Sequence, residues 1–300
     1  MMIFLYGATP HAHLTRNSLF NVESRREEWG STGRSLVSYS RLSLLGVGGA
    51  LLLIWLLLGL SDQWQDASVD FTALMFGLSL LAGMVLDFAS LAATLQSINS
   101  ETSSGRWDLL RLTSLSDSEI VAAKHGLAQI QTWRLMGLIV ALRLTVSVMI
   151  FLTAFIVLFH LRPLNFLAAI DVVFLALGYG WIAILLGALY VIEPIWRMRA
   201  VTALGVALSS ATRFPAINVL IAGILMLVFW IVQIVLIAGL LYVLNSFFSS
   251  LTAADLAVDQ YSLYPALFLL GLLVPIVYGL YSVVQAWSLH RAEDWLSRLN

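Results

Sequence analysis

Six long runs of apolar residues constrain this chain more than any other feature of its sequence. They extend from about Leu42 to Leu60, Phe71 to Ile98, Leu135 to Phe159, Leu164 to Ile192, Ala216 to Leu244 and Leu263 to Trp287. A helix needs about 20 predominantly apolar residues to cross the hydrocarbon core of a bilayer. The runs therefore predict six transmembrane helices, several of them long enough to tilt or to extend beyond the membrane.

The composition excludes several classes of protein. Of the 300 residues, 60% are apolar and 11% are charged, whereas soluble domains carry about 25% charged residues. This excludes an ordinary soluble enzyme, a disordered chain and a nucleic-acid binder that works through a basic surface. There is no cysteine, so disulfides, thiolate metal sites and cysteine nucleophiles are excluded. The five histidines are scattered along the chain, and we expect no metal site.

The basic residues predict the orientation, because they favour the cytoplasmic side of a membrane. With the N-terminus inside, 14 of the 16 Lys and Arg residues fall in cytoplasmic segments. Arg143 lies within the third run, and Arg162 alone falls outside. We therefore expect a multi-pass protein of the plasma (bacterial inner) membrane with both termini in the cytoplasm. Residues 1–41 and 288–300 would be cytoplasmic tails around a membrane domain of residues 42–287.

The loop 99–133, between the second and third runs, is the longest. Ser103 or Ser104 precedes a short stretch whose apolar residues Trp107, Leu109, Leu110 and Leu112 predict one helix face. Ser116 and Glu119 have the spacing of a capping box, which predicts a helix from Ile120 into the third span. From spacing alone, a connecting loop that lies on the membrane surface is an equal alternative to a partner site.

Two segments resemble bacterial ATP-binding-cassette (ABC) exporter permeases of the second type. The first is the loop, through Glu101, Ser104, Gly105, Arg106, Trp107, Leu109, Leu110, Thr113, Leu115, Ser116, Glu119, Ile120 and Lys124. The second is Asn17 to Arg25, where Asn17, Glu23 and Arg25 match. Ser18 and Ser114 stand where the family commonly has proline, and Arg106 replaces a frequent threonine. The resemblance implies an all-α membrane protein with six transmembrane helices, an N-terminal amphipathic elbow helix and a cytoplasmic coupling helix.

The resemblance also implies partners. In such permeases the coupling helix docks on a separate ATPase subunit, and two permease protomers form the pathway as a homodimer or heterodimer. The residues implied to form or shape the docking surface are Glu101, Gly105, Trp107, Leu109, Leu110, Ser116 and Glu119. ATP and Mg would bind the partner ATPase, since the sequence has no phosphate loop and its single lysine, Lys124, follows no glycine-rich stretch. The chain itself would be no enzyme, would lie in the lipid bilayer and would bind no nucleic acid.

Asp87 and Arg143 are charges within predicted spans, where each needs a partner or water. Both should lie about 15 Å from the inner surface on neighbouring antiparallel helices, which predicts an intramembrane ion pair. The pair would either pin the two helices or take part in substrate passage.

The preferred function is thus the permease subunit of an ATP-driven exporter that works by alternating access. The alternative is a non-transporting membrane scaffold or accessory subunit, with the loop as its partner site. An intramembrane enzyme would need a catalytic cluster, which the sequence lacks. The substrate cannot be read from the fold.

Overall fold

The computed structural model describes most of the chain as helices. The described residues are 14, 17–26, 42, 44–58, 64–95, 97–98, 101, 104–105, 107, 110, 112–113, 115–160, 166–211, 215–252 and 260–298. Their helices are α1 (Ser18–Arg26), α2 (Gly49–Leu58, preceded by a π-helical turn Leu44–Gly48), α3 (Trp64–Leu95), α4 (Asp117–His160), α5 (Phe166–Ala211), α6 (Pro215–Thr252) and α7 (Gln260–Arg298). Within the described part of the chain no strand occurs, so the predicted all-α class is confirmed there.

Four helical segments are long and apolar enough to cross a membrane. They are Ala67–Leu95, Asp117–Thr153, Ala216–Val235 and Leu272–Arg298, and a shorter apolar helix covers Leu45–Leu58. Their outer surfaces carry many exposed leucine, isoleucine and valine side chains. Apolar surfaces of this kind would promote aggregation in water. By length and composition, these helices are compatible with a membrane protein.

Three helices extend beyond the apolar runs that predict the spans. Helix α4 begins at Asp117, as the capping box predicts, well before the apolar run from Leu135, and α5 continues to Ala211, beyond the run that ends near Ile192. Helix α7 continues to Arg298, so residues 288–298 belong to the same helix as the sixth apolar run. Ala292 and Leu296 of this last part are fully buried. Each helix therefore extends well beyond its most apolar stretch, because the extensions pack against each other.

Helix α5 lies at the centre of the bundle and packs against α3, α4 and α7. Helix α4 also packs against α3, the π-helical turn and α1. The short helix α1 buries Phe20 in a cluster with Leu86, Ile130 and Trp133 of α3 and α4. This arrangement places the polar residues of α3, α4 and α5 against each other in the interior.

Candidate functional site

Two arginines and two carboxylates meet in the interior of the bundle. Asp87 lies on α3, Arg143 on α4, and Glu193 and Arg197 one turn apart on α5; all four are buried. Arg197 Nε is 3.1 Å from Asp87 Oδ1, Arg143 Nη1 is 2.8 Å from Glu193 Oε2, and Arg197 Nη1 is 3.4 Å from Glu193 Oε1. We call these four residues the charge network. Its formal charges balance, as buried charges generally must.

The structure corrects the predicted ion pair between Asp87 and Arg143. Both residues belong to the charge network, but Asp87 pairs with Arg197 and Arg143 pairs with Glu193. The prediction missed Glu193 and Arg197 because it ended the fourth span before them. Since α5 continues through this region, both side chains enter the interior and compete successfully as partners.

Helix α5 continues through Pro194, a residue that often ends a helix. A proline within a helix has no N–H to donate to the carbonyl four residues earlier, which here belongs to Tyr190. Arg143 Nη1 donates to that carbonyl oxygen at 2.9 Å. The guanidinium group also lies over the Tyr190 ring, 4.7 Å from its centroid. A side chain of α4 thus supplies the hydrogen bond that the proline removes from α5.

Uncharged side chains add further hydrogen bonds to the charge network. The Tyr281 hydroxyl of α7 donates to Glu193 Oε1 at 2.9 Å, and Trp230 Nε1 of α6 donates to Asp87 Oδ2 at 3.2 Å. Gln233 Oε1 of α6 accepts a hydrogen bond from Arg197 Nη1. Five helices, α3 to α7, therefore meet at one polar centre. Removal of one member would leave others buried and unpaired.

A cavity of about 60 Å³ adjoins this centre. Its polar lining comes from Arg143, Tyr190, Glu193 and Gln233, and the rest is aliphatic: Leu80, Leu186, Leu189, Ile237, Leu273 and Val277. Its volume exceeds the roughly 10–15 Å³ that one water needs. The cavity therefore has the volume of more than one water molecule.

At one end of the bundle, the loop after α3 is anchored by Trp107. This side chain is buried, in a cluster with residues of α4, α5 and α7: Ile120, Val121, Val206, Ala207, Ala292 and Leu296. Leu110 and Leu115 pack against the same cluster. We call this the loop cluster. It ties the loop to three long helices at once.

An ionic contact fixes the same loop to α1. Lys124 Nζ of α4 lies 2.6 Å from Glu23 Oε1 of α1 and 3.0 Å from Glu101 Oε1 of the loop. The Lys124 side chain is only 5% exposed, so both contacts are well shielded from solvent. Asn17 reinforces the connection, because its Oδ1 accepts from the Phe20 N–H and its Nδ2 donates to the Glu119 carbonyl.

The predicted capping box is confirmed. Glu119 Oε2 accepts from the Ser116 N–H at 2.9 Å, and Ser116 Oγ accepts from the Glu119 N–H at 3.3 Å. The reciprocal bonds start α4 at Asp117. Gly105 has φ of 71°, a left-handed conformation that favours glycine, so the loop turns sharply before Trp107.

The residues predicted to dock an ATPase fall into two groups. Glu101, Trp107 and Leu110 face inward and hold the loop in place, whereas Gly105, Ser116 and Glu119 are exposed. Leu109 lies outside the described residues. Leu112 is 85% exposed, the largest exposed fraction of any large apolar side chain in the described ranges. Leu112 belongs to the apolar face that the sequence predicts. Residue spacing alone does not indicate that Leu112, and not Trp107, is the exposed member of that face.

Among the described residues, no group of three or more His, Asp or Glu side chains could hold a metal ion. The carboxylates that do meet in the interior are each paired with arginine. Searches of family models, of curated proteins and of solved structures each find no match to this chain.

Proposed function

We propose that this chain is the membrane permease subunit of an ATP-driven ABC transporter, an exporter, and that ATP is hydrolysed on a separate subunit. The observation that carries the proposal is the mechanical connection of the loop. Through Trp107 it packs against α4, α5 and α7, and through Glu101 it is tied to Lys124 and thereby to Glu23 of α1. A force applied to Trp107 or Glu101 would reach α1, α4, α5 and α7 through these contacts.

In this proposal the ATPase grips the exposed part of the loop. Leu112, beside the exposed Thr113, is the apolar anchor, because a protruding leucine loses most of its solvent contact when it enters a partner's pocket. Glu101, Trp107 and Leu110 transmit the movement instead of contacting the ATPase. The resemblance of Glu23, Glu101 and Lys124 to the family's motifs gains support from their direct contact.

The proposal includes six membrane spans with both termini in the cytoplasm. Helices lie at all six predicted positions, including α2 and α5. Arg197 now belongs to the interior and leaves the count of loop charges, so 13 of 16 basic residues (14 less one) favour the cytoplasmic side. A bias of this size supports the plasma-membrane orientation. Helix α1 would be the elbow helix, which lies along the membrane surface against α4.

A second permease protomer would complete the pathway. The charge network would act as the pivot between α3 to α7 during alternating access, with no covalent chemistry in this chain. The rival function is a scaffold or accessory subunit, for which the same network would be a static brace.

A cross-linking experiment tests the docking face. Because the sequence has no cysteine, Leu112→Cys gives one reactive thiol in an otherwise native chain. In native membranes we expect Leu112→Cys to cross-link to a polypeptide that contains a phosphate loop. Val283→Cys is the matched control, because this side chain of α7 is 67% exposed but lies away from the loop in sequence and should face lipid. Cross-linking of Leu112→Cys only to lipid or to proteins without a nucleotide site would contradict the proposal.

A further inference from the structure

Arg143 of α4 holds α5 at the turn that Pro194 interrupts. Its Nη1 atom donates to the Tyr190 carbonyl at 2.9 Å and contacts Glu193 Oε2 at 2.8 Å. One nitrogen atom from another helix therefore binds both the backbone and a carboxylate of this turn. Helices kink most often at proline, so α5 would lose two restraints at its weakest position if Arg143 moved away.

Most of the Arg143 guanidinium group is not engaged in hydrogen bonds. Nε and Nη2, which carry three of its five N–H donors, have no hydrogen-bond partner, although the side chain is 1% exposed. Nη2 lies against α3, because a Cβ atom at Gly83 would be only 3.0 Å from it. Buried donors without an acceptor are costly. The closed arrangement therefore leaves Arg143 with donors that a different arrangement could use.

An alternative acceptor lies one helical turn away on α3. Asp87 follows Gly83 by four residues, and residues four apart lie on one helix face with side chains that lean toward the N-terminus. The Asp87 carboxylate therefore leans toward the turn that Arg143 Nη2 contacts. Asp87 Oδ1 accepts no hydrogen bond, although Arg197 Nε is 3.1 Å away.

An exchange of partners would keep every charge paired. Arg197 Nη1 already lies 3.4 Å from Glu193 Oε1, so Arg197 can take Glu193 when Arg143 takes Asp87. The cavity of about 60 Å³ lies beside the same turn, since Arg143, Tyr190 and Glu193 all line it. Close packing elsewhere in an interior resists movement, whereas this volume gives the turn before Pro194 room to move.

We propose that Arg143 closes a hinge in α5 at Pro194 and that the hinge opens when Arg143 exchanges Glu193 for Asp87. In the open state Arg197 pairs with Glu193, and α5 bends because the Tyr190 carbonyl has lost its donor. The inference rests on the proposed function, in which the charge network is a pivot. Its test needs no ATPase, so a rigid α5 would refute the hinge while an ATPase could still be recovered with the chain.

The test measures distances between two spin labels in the purified full-length protein in nanodiscs, by double electron–electron resonance. The chain has no cysteine, so Ile184→Cys and Ser297→Cys define the labelled sites. Ile184 lies on α5 before Pro194 and is 53% exposed. Ser297 is exposed on α7, beside Leu296, which packs against the part of α5 after Pro194. The distance between the labels therefore reports the bend of α5.

The matched control replaces the label on α5 by one on α3. Val85→Cys is combined with Ser297→Cys, because Val85 is 55% exposed and neither site lies on the part of α5 before Pro194. We expect a single control distance in every variant. The Ile184–Ser297 pair should instead give a major and a minor distance in the otherwise wild-type chain.

Three substitutions shift this equilibrium in different directions. Arg143→Gln should raise the ratio of the minor to the major distance roughly tenfold, as expected for the loss of hydrogen bonds from a charged group. Pro194→Ala should remove the minor distance, alone or with Arg143→Gln, because the restored N–H binds the Tyr190 carbonyl. Asp87→Asn should lower the minor fraction, because Arg143 loses its alternative carboxylate. If Arg143→Gln does not fold, Arg143→Lys keeps a charge beside Glu193 without the guanidinium fork and should also raise the ratio.

Three results would overturn the hinge. One is a single, identical Ile184–Ser297 distance in the wild type and in the folded Arg143 variants, which would mean that α5 is rigid. Another is a minor distance that persists in Pro194→Ala, which would place the movement elsewhere. The third is a minor fraction that Asp87→Asn leaves unchanged, which would exclude the exchange of partners.

Discussion

Arg143 donates a hydrogen bond from Nη1 to the backbone carbonyl of Tyr190, at 2.9 Å. This carbonyl is the one that Pro194 leaves without a helical donor. The bond explains how α5 carries a proline in its interior and still continues to Ala211. Glu193 and Arg197 lie on either side of this proline, and the continuous helix places both in the interior.

The first prediction concerns the hydrogen bond that Arg143 donates in place of the N–H that Pro194 lacks. Arg143→Met should destabilise the protein by about 3–5 kcal/mol, because it leaves Glu193 without its closest partner and the Tyr190 carbonyl without a donor. Pro194→Ala restores an N–H in α5. In that background the cost of Arg143→Met should be smaller by about 1–3 kcal/mol, the usual penalty for an unsatisfied buried carbonyl. A double-mutant cycle of unfolding free energies in mixed micelles measures the difference; strictly additive effects would show that Pro194 and Arg143 are not coupled.

The second prediction separates the two possible partners of Asp87. Asp87→Asn should cost about 3–5 kcal/mol by leaving Arg197 buried without its carboxylate. Adding Arg197→Gln should recover part of this loss, whereas adding Arg143→Gln should increase it. Unfolding free energies of the single and double variants give the answer. Asp294→Asn is the control, since its contact with Arg291 is 4.0 Å long and exposed, and should change stability by less than about 1 kcal/mol. Recovery by Arg143→Gln instead would support the partner expected from the sequence.

The third prediction concerns Lys124. Lys124→Gln keeps most of the side chain but removes the charge that holds Glu23 and Glu101. Amide hydrogen exchange should accelerate in α1 and around Glu101, while the centre of α5 remains protected. Arg291→Gln, which removes a charge from an exposed contact, should leave exchange in α1 unchanged. Equal protection of α1 in the wild type and in Lys124→Gln would mean that packing of Phe20 alone holds α1 in place.

The fourth prediction distinguishes shape from docking in the loop. Trp107→Ala should destabilise the protein by about 3–5 kcal/mol, because it empties a buried aromatic site. Leu112→Asp should leave stability within about 0.5 kcal/mol of wild type, because its side chain is exposed, but should abolish recovery of the proposed ATPase partner. Thermal unfolding and quantitative co-purification are measured on the same samples. If the Leu112→Asp variant still recovers the partner, Leu112 does not belong to the docking face.

The sequence predicts the helical class and the start of α4 because both depend on local signals. Apolar runs mark the helices, and the reciprocal bonds of Ser116 and Glu119 lie within four residues of each other. The resemblance to a known family also drew attention to Glu23, Glu101 and Lys124, which are distant in sequence and meet in space.

The charge network could not be predicted in the same way. Pro194 is a local signal for a helix end, and the donor that overrides it, Arg143, lies 47 residues earlier in the chain on another helix. If the fourth span ends at Ile192, Arg197 counts as a loop residue, and Arg143 is then the nearest basic partner that the sequence offers Asp87. The burial of Trp107 within its own chain could not be predicted for a related reason: an apolar face predicts burial but does not indicate whether the same chain or a partner covers it.

The central claim is that this chain couples to a separate ATPase, and the composition of the native complex tests it most directly. The tagged protein is purified from its native membranes in mild detergent, beside the Leu112→Asp variant, and the recovered subunits are identified and counted by mass spectrometry. The account predicts that the wild-type protein is recovered with an equal number of phosphate-loop ATPase subunits. The Leu112→Asp variant should be recovered without the ATPase, although its thermal stability is unchanged. Recovery of the folded wild-type protein alone, or only with partners that lack a nucleotide site, would contradict it and favour a membrane scaffold.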